Sequence, residues 1–328
     1  MSRTSLALIG CGGMGQSHLS RFFSLADRLE VKNVVDVDIE TANRVAALVP
    51  GAKPASDYRS VLSQVDAVLI ALPHHLHHSV ALECLQCDKH VLLEKPMANT
   101  EKQCEELIET ALSKQRVLMI AYCMRYHPLV LALKQAVDQK LAGDLFQLSI
   151  WTEQHTQAPP ESWMCREETL GGGQLFSHGC HYVDLLLWFL GWPKRGIHMG
   201  TNRGTPWMER EGTSNVCLEF EDGRLGYHFG TWGARGSKLG YSFHAHCDGG
   251  LLEADFSGKK LILHKGKHQE VITELSESSK HTEYEMAHFL DCIEKDQTPL
   301  TDGTIALQSL RVIWELYKAE DNRDWAQF

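Results

Sequence analysis

The order of apolar runs in this 328-residue chain predicts an α/β protein: an N-terminal doubly wound parallel sheet of the Rossmann type, followed by an α+β domain with an open, mostly antiparallel sheet. Three observations predict it. Short Val/Leu/Ile-rich runs alternate with helical stretches as far as Tyr122. A glycine-rich turn follows the first of these runs at once. Beyond Arg195 the pattern changes to period-two runs joined by turns such as Glu221-Asp222-Gly223-Arg224.

The first part reads as strands at 5–9, 31–35, 67–72, 90–93 and 117–121, with helices at 14–28, 39–48, 75–86 and 100–114. A sheet of this kind places its ligand crevice at the carboxyl ends of the strands. After Tyr122 the spacing predicts a helix at 129–141, a strand at 145–153 and an amphipathic helix at 174–190. In 215–220, Val216, Leu218 and Phe220 alternate with polar or small residues, and Leu225, Tyr227 and Phe229 do the same in the next run. Helices at 281–295 and 303–320 close the chain. We divide it into residues 1–124, for a dinucleotide, and residues 125–328, for substrate and assembly.

Composition narrows the function. Lys plus Arg is 32 against 42 for Asp plus Glu, a formal charge of −10, which argues against nucleic acid or an anionic membrane as the partner. No apolar run is long enough for a bilayer, and the opening residues lack a secretory pattern, so a cytoplasmic protein is expected. Ten cysteines without a repeating spacing read as reduced, mostly buried thiols. The pair Cys84 and Cys87 lies in a helical stretch with no second pair to complete a metal site.

Gly10-Cys11-Gly12-Gly13-Met14-Gly15 follows the strand Ser5–Ile9 and opens a helix. Gly10 and Gly12 let the backbone turn tightly against a pyrophosphate, and Gly15 lets the helix pack on the strand. A second strand ends in Asp36, 21 residues after Gly15, where a carboxylate accepts hydrogen bonds from ribose hydroxyls. The same carboxylate repels a 2′-phosphate, Val37 supplies no positive charge, and Arg44 falls on a solvated helix, so NAD is expected over NADP.

Two further motifs stand at strand ends: Leu72-Pro73-His74-His75-Leu76-His77-His78 and Glu94-Lys95-Pro96. With the glycine turn, Arg125-Tyr126-His127-Pro128, and Gly171-Gly172-Gly173 running on to His181 and Asp184, the chain resembles the Gfo/Idh/MocA oxidoreductases over nearly its whole length. That resemblance implies Lys95 and His181 as the catalytic pair, usually with an acid one turn before the histidine. It also implies that Leu72, Pro73, His74, His77 and Glu94 line the cofactor. The chemistry agrees: a hydride leaves a carbinol only if the hydroxyl proton is removed, which needs a positioned base and a donor for developing charge. An imidazole suits the base.

Ser177, His181 and Asp184, spaced i, i+4, i+7, share one helix face. Ser177 stands where the family usually has an acid, and it supplies no charge to tune the imidazole. His178 falls either at the rim or in the site as a second imidazole. Four close histidines at 74, 75, 77 and 78 invite a zinc reading, but they do not face one way and lack an acidic or cysteine partner, so no metal is expected.

Arg125, Tyr126, Trp163 and Arg166 are the further substrate candidates, with Trp232 and Arg235 on a sheet turn. Aromatic plates with Arg and His donors match a polyhydroxylated ring. His244 and His246 share one sheet face, for solvent, substrate or interface. The principal expectation is an NAD-dependent dehydrogenase of a sugar, cyclitol or sugar derivative. The alternatives are glycoside cleavage by transient oxidation and elimination with the hydride returned, and a non-catalytic dinucleotide sensor. An open sheet with one uncovered face points to a homodimer or homotetramer.

Overall fold

The computed structural model describes residues 3–277 and 279–328, and its chain clusters into two compact units. The first holds the residues up to Cys123 together with His281–Leu307; the second holds Met124–Lys280 and Gln308–Phe328.

From the N-terminus run β1 (Thr4–Ile9), α1 (Gly13–Phe22), β2 (Leu29–Val35), α2 (Ile39–Ala46), β3 (Lys53–Ala55), β4 (Ala67–Ile70), α3 (His77–Gln86), β5 (His90–Leu93), α4 (Glu101–Lys114) and β6 (Leu118–Ile120). The strands form one parallel sheet in the order β3-β2-β1-β4-β5-β6. Every residue of β1 and β4 is buried, which is why residues 6–9 and 67–70 read as unbroken apolar runs. The order reverses between β1 and β4, the switch point beside which ligands bind. Asp38 caps α2 by accepting from the Glu40 N–H at 3.2 Å, and Thr100 caps α4 by accepting from the Gln103 N–H at 3.3 Å. β3 has no sequence-predicted counterpart. It is three residues of an edge strand, and Pro54 is tolerated there because only one side of the strand is paired.

The chain continues with α5 (Pro128–Asp138), β7 (Leu145–Glu153), the short α6 (Glu167–Leu170), a π-helical turn at Leu175–Gly179 that runs directly into α7 (Cys180–Leu190), then β8 (Pro193–Thr201), β9 (Thr213–Phe220), β10 (Leu225–Thr231), β11 (Tyr241–Cys247), β12 (Gly250–Asp255), β13 (Lys260–Lys265) and β14 (His268–Glu274). α8 (Thr282–Lys295), α9 (Gly303–Asn322) and β15 (Ala326–Gln327) complete it. α8 packs with the first unit, where Arg28 holds Asp291 and Glu294 at 2.6 and 2.9 Å. Ile120 and Thr301 exchange two hydrogen bonds of 2.8 Å, fixing the following loop to β6.

The second sheet has nine strands in the order β14-β13-β12-β11-β7-β10-β9-β8-β15, and its pairs are antiparallel except β7 with β10. In β9 the predicted alternation holds: Val216, Leu218 and Phe220 are buried and Cys217 is exposed. In β10 the alternation is present, but the helix-covered face belongs to Gly226, His228 and Gly230, while Leu225, Tyr227 and Phe229 face outward. The reason is volume: a Cβ on Gly226 would lie 3.2 Å from Leu186 and 3.3 Å from Leu190 of α7. Among the described residues no helix is long and apolar enough to cross a membrane.

Candidate active site

The glycine turn has the geometry its spacing requires. Gly10 sits at φ +99°, in the left-handed region, and a Cβ there would fall on the Ala71 carbonyl oxygen. A Cβ on Gly15 would fall on the Gly10 carbonyl oxygen, so this glycine is what brings α1 against the turn. Gly12 and Gly13 are exposed with nothing within 4 Å of a Cβ position, and α1 begins there with no side-chain cap and no acid in its first turn, where Met14 is half-buried. A helix N-terminus that opens on glycines, with open space before it, fits a pyrophosphate. Asp36, half-buried at the end of β2, accepts from the Cys11 N–H at 2.9 Å through Oδ2 and from the Asp38 N–H at 3.0 Å through Oδ1. Its carboxylate is thereby fixed beside the glycine turn, as an adenosine ribose requires. Val37 is exposed, and Arg44 donates to Thr41 at 2.6 Å on its own helix. Burial, with Asp36 beside it, pushes the Cys11 thiol up to about 12, so it is an inert packing group.

At the tips of β4 and β5 the four histidines separate. His74 and His77 are buried with ring centroids 5.5 Å apart, His75 is exposed, and His78 pairs with Glu106 of α4 at 2.8 Å. His77 lies between the Pro96 and Leu72 carbonyl oxygens, at 2.7 Å from Nδ1 and 2.9 Å from Nε2. Burial holds its pKa low, and the neutral ring has one N–H, so one of these contacts is a donated hydrogen bond. His77 thus sits between the Leu72-Pro73 segment and the Glu94-Lys95-Pro96 turn, bonded to one of them. Glu94 is buried and bonds His18 of α1 at 2.7 Å, while its other oxygen accepts from the Lys95 N–H at 3.2 Å. Lys95, half-buried, therefore follows a carboxylate anchored on the helix that the glycine turn opens. His18 had no place among the candidate residues; its position three residues after Gly15 was the available signal.

In the second unit the helix that carries His181 begins with the π-turn, a feature often found at functional sites. Ser177 and His181 are buried, and His178 is half-buried with its ring 6.0 Å from that of His181 and edge-on to it. His178 Nε2 lies 3.3 Å from the Tyr182 hydroxyl and 3.2 Å from the Tyr241 hydroxyl. Asp184 and Arg125 face each other: the guanidinium donates two hydrogen bonds, of 2.7 and 2.8 Å, to the carboxylate, and the pair is buried. Burial pushes the Asp184 carboxyl up and Arg125 opposes that. Arg125 also stacks over Trp188 at 5.0 Å. Tyr126 is buried, and His127 beside it caps α5.

Trp163 packs with Trp207 against Leu170, Met208 and Trp232. The rings of Trp207 and Trp232 stack 6.3 Å apart at 8°. Trp207 was not among the sequence candidates, since it stands in a turn without periodicity. Arg166 and Arg235 are exposed. His244 and His246 lie on the outward face of β11, where His244 contacts the Trp151 ring at 4.8 Å and Glu253 at 3.6 Å.

Residues 4–122 match an oxidoreductase family described as having an NAD-binding Rossmann fold, and residues 130–253 match the Gfo/Idh/MocA C-terminal domain. Levoglucosan dehydrogenase of Pseudarthrobacter phenanthrenivorans is 28% identical over 203 residues, 58% of this chain and 52% of that protein. Inositol 2-dehydrogenase 2 of Saccharopolyspora erythraea is 28% identical over 226 residues, 67% of this chain and 64% of that protein. The matched stretches thus span about half to under two thirds of these two relatives. A levoglucosan dehydrogenase structure in complex with NADH and levoglucosan superposes with a TM-score of 0.89 at 18% identity, covering 99% of both chains, a likeness of fold.

Proposed function

Since this chain belongs to the Gfo/Idh/MocA family of oxidoreductases, we propose that it moves a hydride between NAD and a secondary hydroxyl of a sugar, cyclitol or sugar derivative, with Lys95 and His181 as the proton-transfer pair. When bound, the nicotinamide supplies the hydride acceptor. The buried imidazole of His181 takes the hydroxyl proton, and the Lys95 ammonium orients that hydroxyl and stabilises charge on its oxygen. Ser177 offers a neutral hydrogen bond beside the base, and the half-buried Trp163 and Trp207, packed on the buried Trp232, offer stacking faces for a sugar ring. Gly10, Gly12, Gly13, Met14, Gly15 and Asp36 hold the dinucleotide. The observation that carries this reading is the glycine turn locked to Asp36 in a unit whose β5 ends in the anchored Glu94-Lys95 pair.

The test is a panel of sugars, cyclitols and glycosides followed by NADH absorbance. The wild type should oxidise at least one member, and Lys95→Met and His181→Asn should each lose at least about 100-fold in kcat with NAD affinity retained. Full activity in both variants, or none in the wild type on any member, would refute the reading. The second imidazole, His178 beside His181, favours glycoside cleavage as the alternative outcome. It would show as aglycone release without net NADH.

The same reading puts the protein in the cytoplasm, which its ten free cysteines support. It also makes the protein a homodimer or homotetramer through the outward sheet face, where Trp151 and Tyr227 stand with rings 5.9 Å apart.

A further inference from the structure

We infer that Glu211 and Tyr317 are positioning residues for His181, acting as an external cap that sets the placement of its helix. A helix start leaves four N–H groups without an intrahelical partner, normally met by a local Ser, Thr, Asp or Asn. Here the residue before the π-turn, Gln174, makes no side-chain cap. The four donors are met from far along the chain. The Gly173 N–H donates to the Tyr317 hydroxyl at 3.0 Å, the Gln174 N–H to the Glu211 carbonyl at 2.7 Å, the Leu175 N–H to Glu211 Oε1 at 3.1 Å, and the Phe176 N–H to the Tyr317 hydroxyl again at 3.2 Å. The first intrahelical bond, from the Ser177 N–H to the Gly173 carbonyl at 3.0 Å, follows at once.

The two capping residues hold each other. The Tyr317 hydroxyl donates to Glu211 Oε1 at 2.7 Å, and Ser214 Oγ donates to the same oxygen at 3.4 Å. Both residues are buried, the Arg210 guanidinium lies over the Tyr317 ring at 4.7 Å, and the His198 ring meets it edge-on at 5.3 Å. A buried carboxylate at this end of a helix also meets the positive end of the helix dipole. The glycine run is the room this device needs. A Cβ on Gly173 would fall on the Glu211 carboxyl group, and one on Gly172 would lie 2.7 Å from Phe176 Cβ and 3.0 Å from the Tyr317 ring. His181 follows Phe176 by five residues, roughly 7 Å along the axis, so tilt or slip at the cap moves the imidazole directly. Misplacement of a catalytic group by about 1 Å costs on the order of 100-fold in rate.

The catalytic readout rests on the dehydrogenase reading above, so the experiment carries an independent one. In Tyr317→Phe, checked for folding by its melt, amide hydrogen exchange over residues 173–181 should quicken at least about tenfold, as loss of hydrogen-bond acceptors predicts. The rest of the second unit should be unchanged. Diethyl pyrocarbonate should acylate His181 at a rate at least about threefold different from wild type as its surroundings shift. On a substrate found in the panel, kcat should fall about tenfold or more, with KM within about threefold and NAD affinity unaltered.

Glu211→Gln, which keeps an acceptor oxygen, should stay within about threefold of wild type in kcat, while Glu211→Ala should match Tyr317→Phe. Unchanged exchange at 173–176 would overturn the cap. Faster exchange with unaltered His181 acylation and unaltered kcat would overturn the positioning role. If the wild type oxidises nothing, the function reading falls while exchange and acylation still decide this one.

Discussion

Replacing Asp184 with asparagine separates two roles for a residue placed by spacing at the substrate. In the structure Asp184 is 1% exposed and Arg125 5%, with both hydrogen bonds under 3 Å. At that burial bulk solvent does not reach either group. Removing one partner from such a pair costs about 3–5 kcal/mol, against about 0.2–1 kcal/mol for an exposed pair. Lys140 with Asp144 is the exposed comparison within the same unit. Asparagine keeps one acceptor oxygen, so the lower figure applies, about 3 kcal/mol, or a fall in Tm of roughly 6–12 °C for a domain of this size.

The assay is thermal and urea unfolding of Asp184→Asn, Arg125→Met and the double variant Arg125→Met/Asp184→Leu, with KM measured alongside. The single variants should be strongly destabilised, and the double variant should recover to within about 1.5 kcal/mol of wild type, since an apolar pair of similar volume often replaces a buried ion pair at little cost. A single variant that melts with the wild type but binds substrate poorly would refute this reasoning and return the pair to the substrate.

Asp36→Ser should weaken NAD about 10–100-fold, the scale of lost charge-assisted hydrogen bonds, and narrow the preference over NADP; nucleotide titration followed by fluorescence checks both. The pKa of His228, buried and stacked on Tyr182 at 4.9 Å, is lowered to about 3, chiefly by burial. Its folded value lies below the unfolded one of about 6.5, so the stability it contributes is present above pH 6.5 and is lost as pH falls towards 3, with a slope of about 1.4 kcal/mol per pH unit. His228→Gln should flatten that slope in urea midpoints measured from pH 7 to 4, and an unchanged slope would assign the acid sensitivity elsewhere.

Legibility followed the range of the interaction. The glycine turn could be read because each glycine answers a local demand: Gly10 a positive φ, Gly15 contact with the turn itself. β1, β4 and β5 could be read because burial on both faces writes itself as apolar runs. β3 could not, because a three-residue edge strand leaves no period. The outward turn of Leu225, Tyr227 and Phe229 was hidden for a different reason: alternation states that two faces differ, and only the helix packed on glycine states which one is inside.

The amino-acid order alone was enough to determine the layered α/β plan and the dinucleotide turn with its acidic partner, because propensity, periodicity and glycine sterics act over a few residues, whereas Lys95 and His181 were singled out by the family resemblance of their motifs. Tertiary structure decided the rest: that His18 holds Glu94 across 76 residues, that Arg125 meets Asp184 across 59, and that Glu211 and Tyr317 close the start of the His181 helix from 36 and 141 residues away. Buried polar groups must find partners wherever the fold brings them, and no local spacing records that search.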